Sequence, residues 1–163
     1  MIFVTVGSQK FEFSRLLRYI NNLIIANIIN EPVFAQIGNN IDDGYLFETS
    51  QFIDRSKFRE KMAQSDIVIT HAGTGAIVGA LEMDKCVIAV PRQKDFNEHV
   101  DNHQFEIANA FQSAGYIEMA TSEVELATAL DKLKSGVYKK FKSNTSTYIL
   151  YLESYLNKIV KPR

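Results

Sequence analysis

The sequence contains a single cysteine, no tryptophan and no uninterrupted apolar segment of membrane-spanning length. Cys86 alone excludes an internal disulfide framework and a multi-cysteine zinc site, and it favours a reducing compartment. Four asparagines between positions 21 and 30 interrupt the most apolar stretch, which falls short of the roughly 18 residues that a membrane span requires. No basic segment precedes the apolar residues 2–6, so no cleaved signal is predicted. We expect a cytoplasmic protein with one domain over residues 1–163.

Charge is unevenly distributed along the chain, although the formal net charge is only −1. Residues 132–163 contain eight Lys or Arg side chains and one acidic side chain, Glu153. We predict a basic C-terminal helix over about 137–160 that faces an anionic membrane surface or an acidic partner, the alternative being a solvated helix with no partner. An apolar stripe on this helix either docks on such a partner or, as is more common, packs on the chain's own sheet. The stripe consists of Tyr148, Leu152, Tyr155 and Ile159.

Short β-branched runs alternate with longer segments of helical periodicity. The strands are predicted at 2–6, 33–37, 66–70, 86–90 and 116–119, and the segment 45–53 is predicted as a peripheral strand or a loop. The helices are predicted at 12–30, 56–64, 76–83, 98–113, 123–133 and 143–160. Continuous Val and Ile runs indicate strands buried on both faces, and their alternation with helices indicates parallel crossover connections. The predicted fold class is α/β, a single Rossmann-like domain with a mostly parallel sheet. Ligands of such sheets bind at the carboxyl ends of the strands.

A glycine-rich turn, His71–Gly75 (H-A-G-T-G), connects a predicted strand directly to a helix. The free N–H groups and the positive dipole end of that helix favour an anion, so we interpret the turn as a diphosphate site. Gly73 and Gly75 would permit positive φ and close backbone approach, Thr74 adds a hydroxyl donor, and His71 could donate to a phosphate. The alternative is that these glycines serve packing alone. The pattern G-x-G-x-x-G is absent, which disfavours an NAD(P) oxidoreductase, and no G-x-x-x-x-G-K-[ST] occurs, so a nucleoside triphosphate P-loop is not predicted.

A dense polar cluster follows the strand predicted at 86–90 and suits recognition of sugar hydroxyls. The alternative is a helix N-terminus whose acidic residues only cap the helix. Two histidines in it are four residues apart, but no third ligand is obvious, so no metal site is predicted. The turn after the first strand is expected at the same edge of the sheet. The candidate residues of these two segments are Gly7, Ser8, Pro91, Arg92, Glu98, His99, Asp101, Asn102, His103 and Gln104.

The motifs H-A-G-T-G, P-R and E-H-V-D-N-H-Q, with V-T-V-G-S near the start and Q-I-G-N at Gln36–Asn39, resemble the C-terminal donor-binding domain of glycosyltransferase family 28. The resemblance covers most of the chain up to about residue 135. Within the family it is nearest to small subunits of exopolysaccharide and capsule glycosyltransferases. It is more distant from the soluble catalytic subunit of a two-chain UDP-N-acetylglucosamine transferase.

The resemblance implies one half of a GT-B glycosyltransferase, a hexosyltransferase that uses a UDP-sugar. It implies the diphosphate at Gly73–Gly75, the base and ribose near Pro91 and Arg92, and the sugar near Asp101 and Gln104. No metal and no other cofactor is implied, and nucleic acid is not a partner.

A GT-B enzyme needs two domains, and 163 residues are enough for only one. The resemblance therefore implies a membrane-anchored partner subunit that supplies the acceptor domain, the catalytic base and a polyprenyl-diphosphate-linked acceptor. The chain would lie at the inner face of the plasma membrane. Ala76 and Gly79 stand where the family usually has Ser and a ribose-binding Glu. A non-catalytic regulatory or nucleotide-sugar-binding homologue is therefore the alternative.

Overall fold

Six short strands form one sheet in the computed structural model, which describes residues 1–159. They are β1 (Ile2–Thr5), β2 (Val33–Gln36), β3 (Glu48–Ser50), β4 (Ile67–Thr70), β5 (Cys86–Ala89) and β6 (Glu118–Met119). Every neighbouring pair is parallel, and the order across the sheet is β3-β2-β1-β4-β5-β6. The direction of winding therefore reverses between β1 and β4, as in doubly wound folds. The predicted α/β class with a parallel sheet is confirmed.

Helices cover both faces of the sheet because successive strand residues point to opposite sides. The helices are α1 (Ser14–Ile25), α2 (Arg55–Gln64), α3 (Thr74–Leu81), α4 (His103–Ser113), α5 (Glu123–Ser135) and α6 (Thr145–Ile159). Ile2 and Val4 of β1 pack in one core with α1 and α5, whereas Phe3 packs in a second core with α2, α3 and α4. The two cores make the sheet a rigid base for the loops at its carboxyl edge.

Several helices and strands begin or end at other residues than the sequence predicts. The helix predicted at 98–113 begins only at His103, and a single 3₁₀ turn at Lys94–Phe96 precedes it. The helix predicted at 12–30 ends at Ile25, since Asn27 adopts φ +56°, which lies in the left-handed region. The segment 45–53, predicted as a peripheral strand or a loop, contains the three residues of β3 with irregular chain on either side. In the C-terminal segment, α6 starts eight residues later than position 137, and position 160 lies outside the described residues.

The C-terminal helix α6 does not pack on the sheet. Its described side chains, those of 145–157 and 159, are exposed, including Tyr148 at 60% and Tyr155 at 53%. The interpretation that the apolar stripe packs on the chain's own sheet is therefore wrong. Among residues 1–159, no helix is both long enough and apolar enough to cross a bilayer.

Candidate functional site

The loops that follow β1 and β4 lie side by side at the carboxyl edge of the sheet. The register pairs Thr5 with Thr70, so the chain leaves both strands at the same level. Gly7 follows with φ +78°, and a Cβ there would lie 2.5 Å from Cε1 of His71. Glycine is thus required at position 7 both for its backbone conformation and for the close approach of the imidazole. The predicted meeting of these loops at one edge is confirmed, at the point where ligands of doubly wound sheets bind.

The N-terminus of α3 is open to an anion. Gly73 is the N-cap residue, and no side chain among residues 1–159 caps this end. The carbonyl of Gly73 accepts from the N–H groups of Ala76 and Ile77 at 3.0 and 3.1 Å, which starts the helix. Thr74 and Gly75 are exposed in the first turn. Their amides have no helical partners, so they are free to bind phosphate oxygens in the field of the helix dipole.

The glycines of this turn act differently from the prediction that they permit positive φ. That conformation belongs to Ala72, at φ +65°, whereas Gly73 has φ −70° and Gly75 lies within the helix. A Cβ at Gly73 would lie 2.4 Å from Nε2 of His71, so glycine is needed there for close approach. A Cβ at Gly75 would meet no heavy atom of the described chain within 4 Å. The space above Gly75 is therefore available to a ligand.

His71 lies between the two loops and holds little charge at neutral pH. Burial lowers the pKa of its imidazole to about 4, and the positive charge of Arg92 acts in the same direction. Nδ1 lies 3.4 Å from the carbonyl oxygen of Thr5. The ring is neutral at pH 7 and carries a single N–H. It donates to a phosphate in the tautomer that has its proton on Nε2, in which Nδ1 accepts from the Thr70 hydroxyl at 3.4 Å.

A cavity of about 340 Å³ occupies this edge. Gln36 is one of the residues that line the cavity. Its Oε1 accepts from the Thr5 hydroxyl at 2.7 Å, and its Nε2 donates to the carbonyl of Gly7 at 3.2 Å. These bonds fix the loop after β1 relative to β2. The lining residues that bear on ligand binding are Gly7, Ser8, His71, Gly75 and Ala76.

The segment after β5 folds back on the β1–α1 loop through two arginines. Arg92 is completely buried, and its guanidinium donates to the carbonyls of Val6, Phe11 and Glu12 at 2.7–3.1 Å. Arg15, on α1, forms a buried ion pair with Glu98 in which Nη2 and Oε2 are 2.8 Å apart.

Both Arg92 and Glu98 are thus bonded within the protein, and a ligand role for them stays a prediction. Sequence reasoning missed the role of Arg15. It sits among the apolar residues of α1, and its partner is 83 positions away.

The remaining members of the predicted cluster divide into buried and exposed groups. The main-chain N–H of Arg92 donates to Oε1 of buried Gln104 at 3.1 Å, and Pro91 accepts from Arg15 through its carbonyl. Asn102 is exposed, and its Oδ1 accepts from the N–H of Lys94. The segment therefore presents exposed side chains at 101–103 on a base that buried groups hold in place.

The structure brings together a triad that the sequence did not indicate. Asp101 lies between His99 and His103, and the ligand atoms of the three fall within 4.8 Å of one another. Nδ1 of His99 is 3.1 Å from Oδ1 of Asp101, and Nδ1 of His103 also contacts that oxygen. The expectation that no third ligand is near is wrong. However, the contacts are linked by hydrogen bonds, since the N–H of Asp101 donates to Nδ1 of His99 at 3.3 Å and the N–H of His103 donates to Oδ1 of Asp101 at 3.1 Å. The positive end of the α4 dipole also opposes a cation. The absence of a metal requirement stays a prediction.

Together, the winding order, the uncapped N-terminus of α3 and the cavity define a doubly wound α/β domain with a candidate anion site at the carboxyl edge of its sheet. The family model for the glycosyltransferase family 28 C-terminal domain matches residues 1–151. The chain belongs to that family, and its fold is that of glycosyltransferases of the GT-B class. The recognition made from the motifs is confirmed.

Relatives of known name agree with this assignment. The UDP-N-acetylglucosamine transferase subunit ALG13 of Candida glabrata is 39% identical over 131 residues, which is 76% of this chain. The mouse subunit of the same name is 30% identical over 130 residues, 75% of this chain. The NMR structure of ALG13 superimposes with a TM-score of 0.60 at 22% identity, covering 91% of this chain and 93% of that one. The chain spans 60% of the length of the Candida glabrata relative and 11% of the mouse relative.

Proposed function

We propose that this chain is the donor-binding subunit of a two-component glycosyltransferase that transfers a hexose from a UDP-sugar to a lipid-linked acceptor. The relatives are named as subunits of a UDP-N-acetylglucosamine transferase, which supports N-acetylglucosamine as the sugar and a second chain as the partner. The setting of exopolysaccharide or capsule synthesis, at the inner face of the plasma membrane, rests on the motif resemblance alone. A catalytic base on the partner chain is part of the same proposal.

The observation that carries the proposal is the uncapped N-terminus of α3 beside a neutral imidazole. A diphosphate at this point would accept hydrogen bonds from the amides of Thr74 and Gly75 and from His71, and the helix dipole would offset part of its charge. Amide and dipole stabilisation of a leaving diphosphate does not need a metal ion, in line with the prediction that none is used.

Gly75 offers a clean test because an added methyl group would meet only the ligand. The Gly75→Ala variant is expected to fold as the wild type does, but to bind UDP at least tenfold more weakly in an NMR titration of the full chain. Asn109→Ala, at an exposed position in the middle of α4, is the control and is expected to keep the wild-type affinity for UDP. Equal UDP affinity for the wild type and Gly75→Ala would show that the diphosphate does not bind at this turn.

The exposed helix α6 supports the proposed partner. Successive turns place Tyr148, Leu152, Tyr155 and Ile159 on one side, and these side chains are between 39% and 60% exposed. Aromatic and aliphatic side chains concentrated on one face of a helix are typical of a surface that another protein covers. We assign this stripe to the contact with the membrane-anchored subunit.

Membrane fractionation of cells that produce the tagged chain tests this assignment. The wild type is expected to sediment with membranes and not with protein-free vesicles of anionic lipid, and Leu152→Asp is expected to stay in the supernatant. Leu150→Asp is the control, because Leu150 is also exposed but lies on the opposite side of α6. Binding of the wild type to the vesicles would show that the stripe contacts lipid and not a partner protein.

A non-catalytic nucleotide-sugar-binding subunit is the second candidate, and Gly79 favours it. The resemblance places a ribose-binding carboxylate at this position, and glycine supplies none. Sugar transfer by the chain together with its membrane partner distinguishes the candidates, because the second candidate predicts UDP-sugar binding without any product.

A further inference from the structure

Two buried arginines tie three loops of the carboxyl edge together. Besides the carbonyls of the β1–α1 loop, Nη1 of Arg92 donates to the carbonyl of Glu98 at 3.1 Å. Arg15 donates through Nη1 and Nη2 to the carbonyls of Thr121 and Pro91, both at 2.9 Å. The loops after β1, β5 and β6 therefore share one hydrogen-bonded network in the protein interior. Within it, only Nε of Arg92 lacks a partner among the described residues, and buried hydrogen-bonded groups of this kind hold one geometry strongly.

The Arg15–Glu98 pair is the part of the network in which two side chains bond to each other through two parallel hydrogen bonds. Nε of Arg15 donates to Oε1 of Glu98 at 2.9 Å and Nη2 to Oε2 at 2.8 Å, so the pair is bidentate. Oε2 also accepts from the N–H of Gln93 at 2.9 Å. Arg15 and Glu98 are 6% and 4% exposed. A bidentate guanidinium–carboxylate pair fixes orientation as well as distance.

The network supports the segment Asp101–Gln104, in which the side chains of 101–103 are exposed and that of Gln104 is buried. Glu98 lies three residues before Asp101, and Arg92 reaches the end of the segment through its main-chain bond to Gln104. The N-terminus of α3, in contrast, follows β4 and receives no hydrogen bond from Arg15 or Glu98. The two halves of the proposed donor site therefore depend on different supports.

We propose that Arg15 and Glu98 are positioning residues for the sugar half of the donor, because they fix the Asp101–Gln104 segment against the β1–α1 loop. This inference rests on the proposed function, with the diphosphate at α3 and the sugar at Asp101 and Gln104. It assigns neither residue a direct contact with the ligand. Loss of the pair is expected to remove the extra affinity that the sugar contributes while the affinity for UDP itself stays unchanged.

NMR titrations of the full chain with UDP and with UDP-N-acetylglucosamine, carried out for the wild type and for each variant, test the positioning role. The wild type is expected to bind the UDP-sugar more tightly than UDP, and in Glu98→Gln the ratio of the two affinities is expected to fall to about one. The double variant Arg15→Met/Glu98→Met is the second test, because paired apolar replacements leave no buried charge and favour a folded protein. Glu106→Gln, on the exposed side of α4, is the matched control and should keep the wild-type ratio.

The outcomes separate this inference from the proposed function. Variants that are folded by near-ultraviolet circular dichroism and keep the wild-type ratio overturn the positioning role. A wild type that binds UDP and the UDP-sugar equally overturns it as well, since the segment then contributes no sugar affinity. A wild type that binds neither ligand overturns the proposed function itself, and this inference with it.

Discussion

Protonation of His71 should make the folded protein sensitive to mild acid. In the folded chain, burial and the charge of Arg92 lower the pKa of the imidazole from 6.5 to about 4. In the unfolded chain the ring is solvated and takes up a proton near pH 6.5. Between these two values, the unfolded state binds more protons than the folded state. Stability is therefore fully present above pH 6.5 and is lost as the pH falls towards 4.

The magnitude follows from the two pKa values, which differ by about 2.5 pH units. Each unit corresponds to about 1.4 kcal/mol, so the full effect is about 3.5 kcal/mol of unfolding free energy. Lowering the pH from 7 to 5 covers about 2 kcal/mol of it. This window lies above the range in which ordinary carboxylates titrate, so acid protonation of aspartates and glutamates contributes little to it.

Urea unfolding of the wild type and of His71→Gln at pH 7 and pH 5 measures the effect. The quantity to compare is the change in unfolding free energy between the two pH values within each protein, so that an offset caused by the substitution itself cancels. The wild type is expected to lose about 2 kcal/mol more than His71→Gln does. If both proteins lose the same amount, His71 is not held neutral by its surroundings and the reasoning is refuted.

Two further substitutions test the site and its support. Gly79→Glu is expected to strengthen UDP binding about tenfold by adding a charged hydrogen-bond acceptor for the ribose. Room exists beside Met62, and an equal gain in Gly79→Gln would show that the charge is irrelevant. Glu98→Ala leaves Arg15 buried without its partner, so urea unfolding should show a loss of about 3–5 kcal/mol. Glu106→Ala, on the exposed side of α4, should change stability by less than about 0.5 kcal/mol, and similar losses in both variants would contradict the buried-pair argument.

The layout of the sheet and of its carboxyl edge was predictable because it depends on local pattern. Apolar runs such as I-F-V in β1 and V-I-A in β5 carry the strand signal in neighbouring residues. Parallel connectivity then brings the ends of β1 and β4 together without any knowledge of side-chain contacts. The turn at His71–Gly75 follows for the same reason, since a strand, a glycine turn and a helix are adjacent in the chain.

The roles of Arg92 and Glu98 were not predictable, because they depend on distant parts of the chain. Three of the carbonyls that accept from the Arg92 side chain lie 80 to 86 positions earlier, and carbonyls leave no trace in the side-chain pattern. The positive φ at Ala72 escaped for a related reason, since sequence reasoning assigns such conformations to glycine. Asp101 meets both histidines only because α4 starts at 103, whereas in a helix begun at 98 the two histidines would share one face and Asp101 would point away from it.

Ala76 and Gly79, the two departures from the family pattern, are expected to affect donor binding and leaving-group stabilisation differently. In the proposed site, main-chain groups bind the diphosphate, whereas a side chain at position 79 would bind the ribose. The amides of α3 and the helix dipole persist whichever residues stand at positions 76 and 79, so the leaving diphosphate keeps its stabilisation. A missing ribose carboxylate reduces the binding of substrate and transition state alike, which raises KM and leaves kcat unchanged. A transferase with Gly79 is therefore expected to be slow at low donor concentration and to recover at saturation. A subunit that lacks catalytic function would show no such recovery, so donor saturation decides between the two assignments.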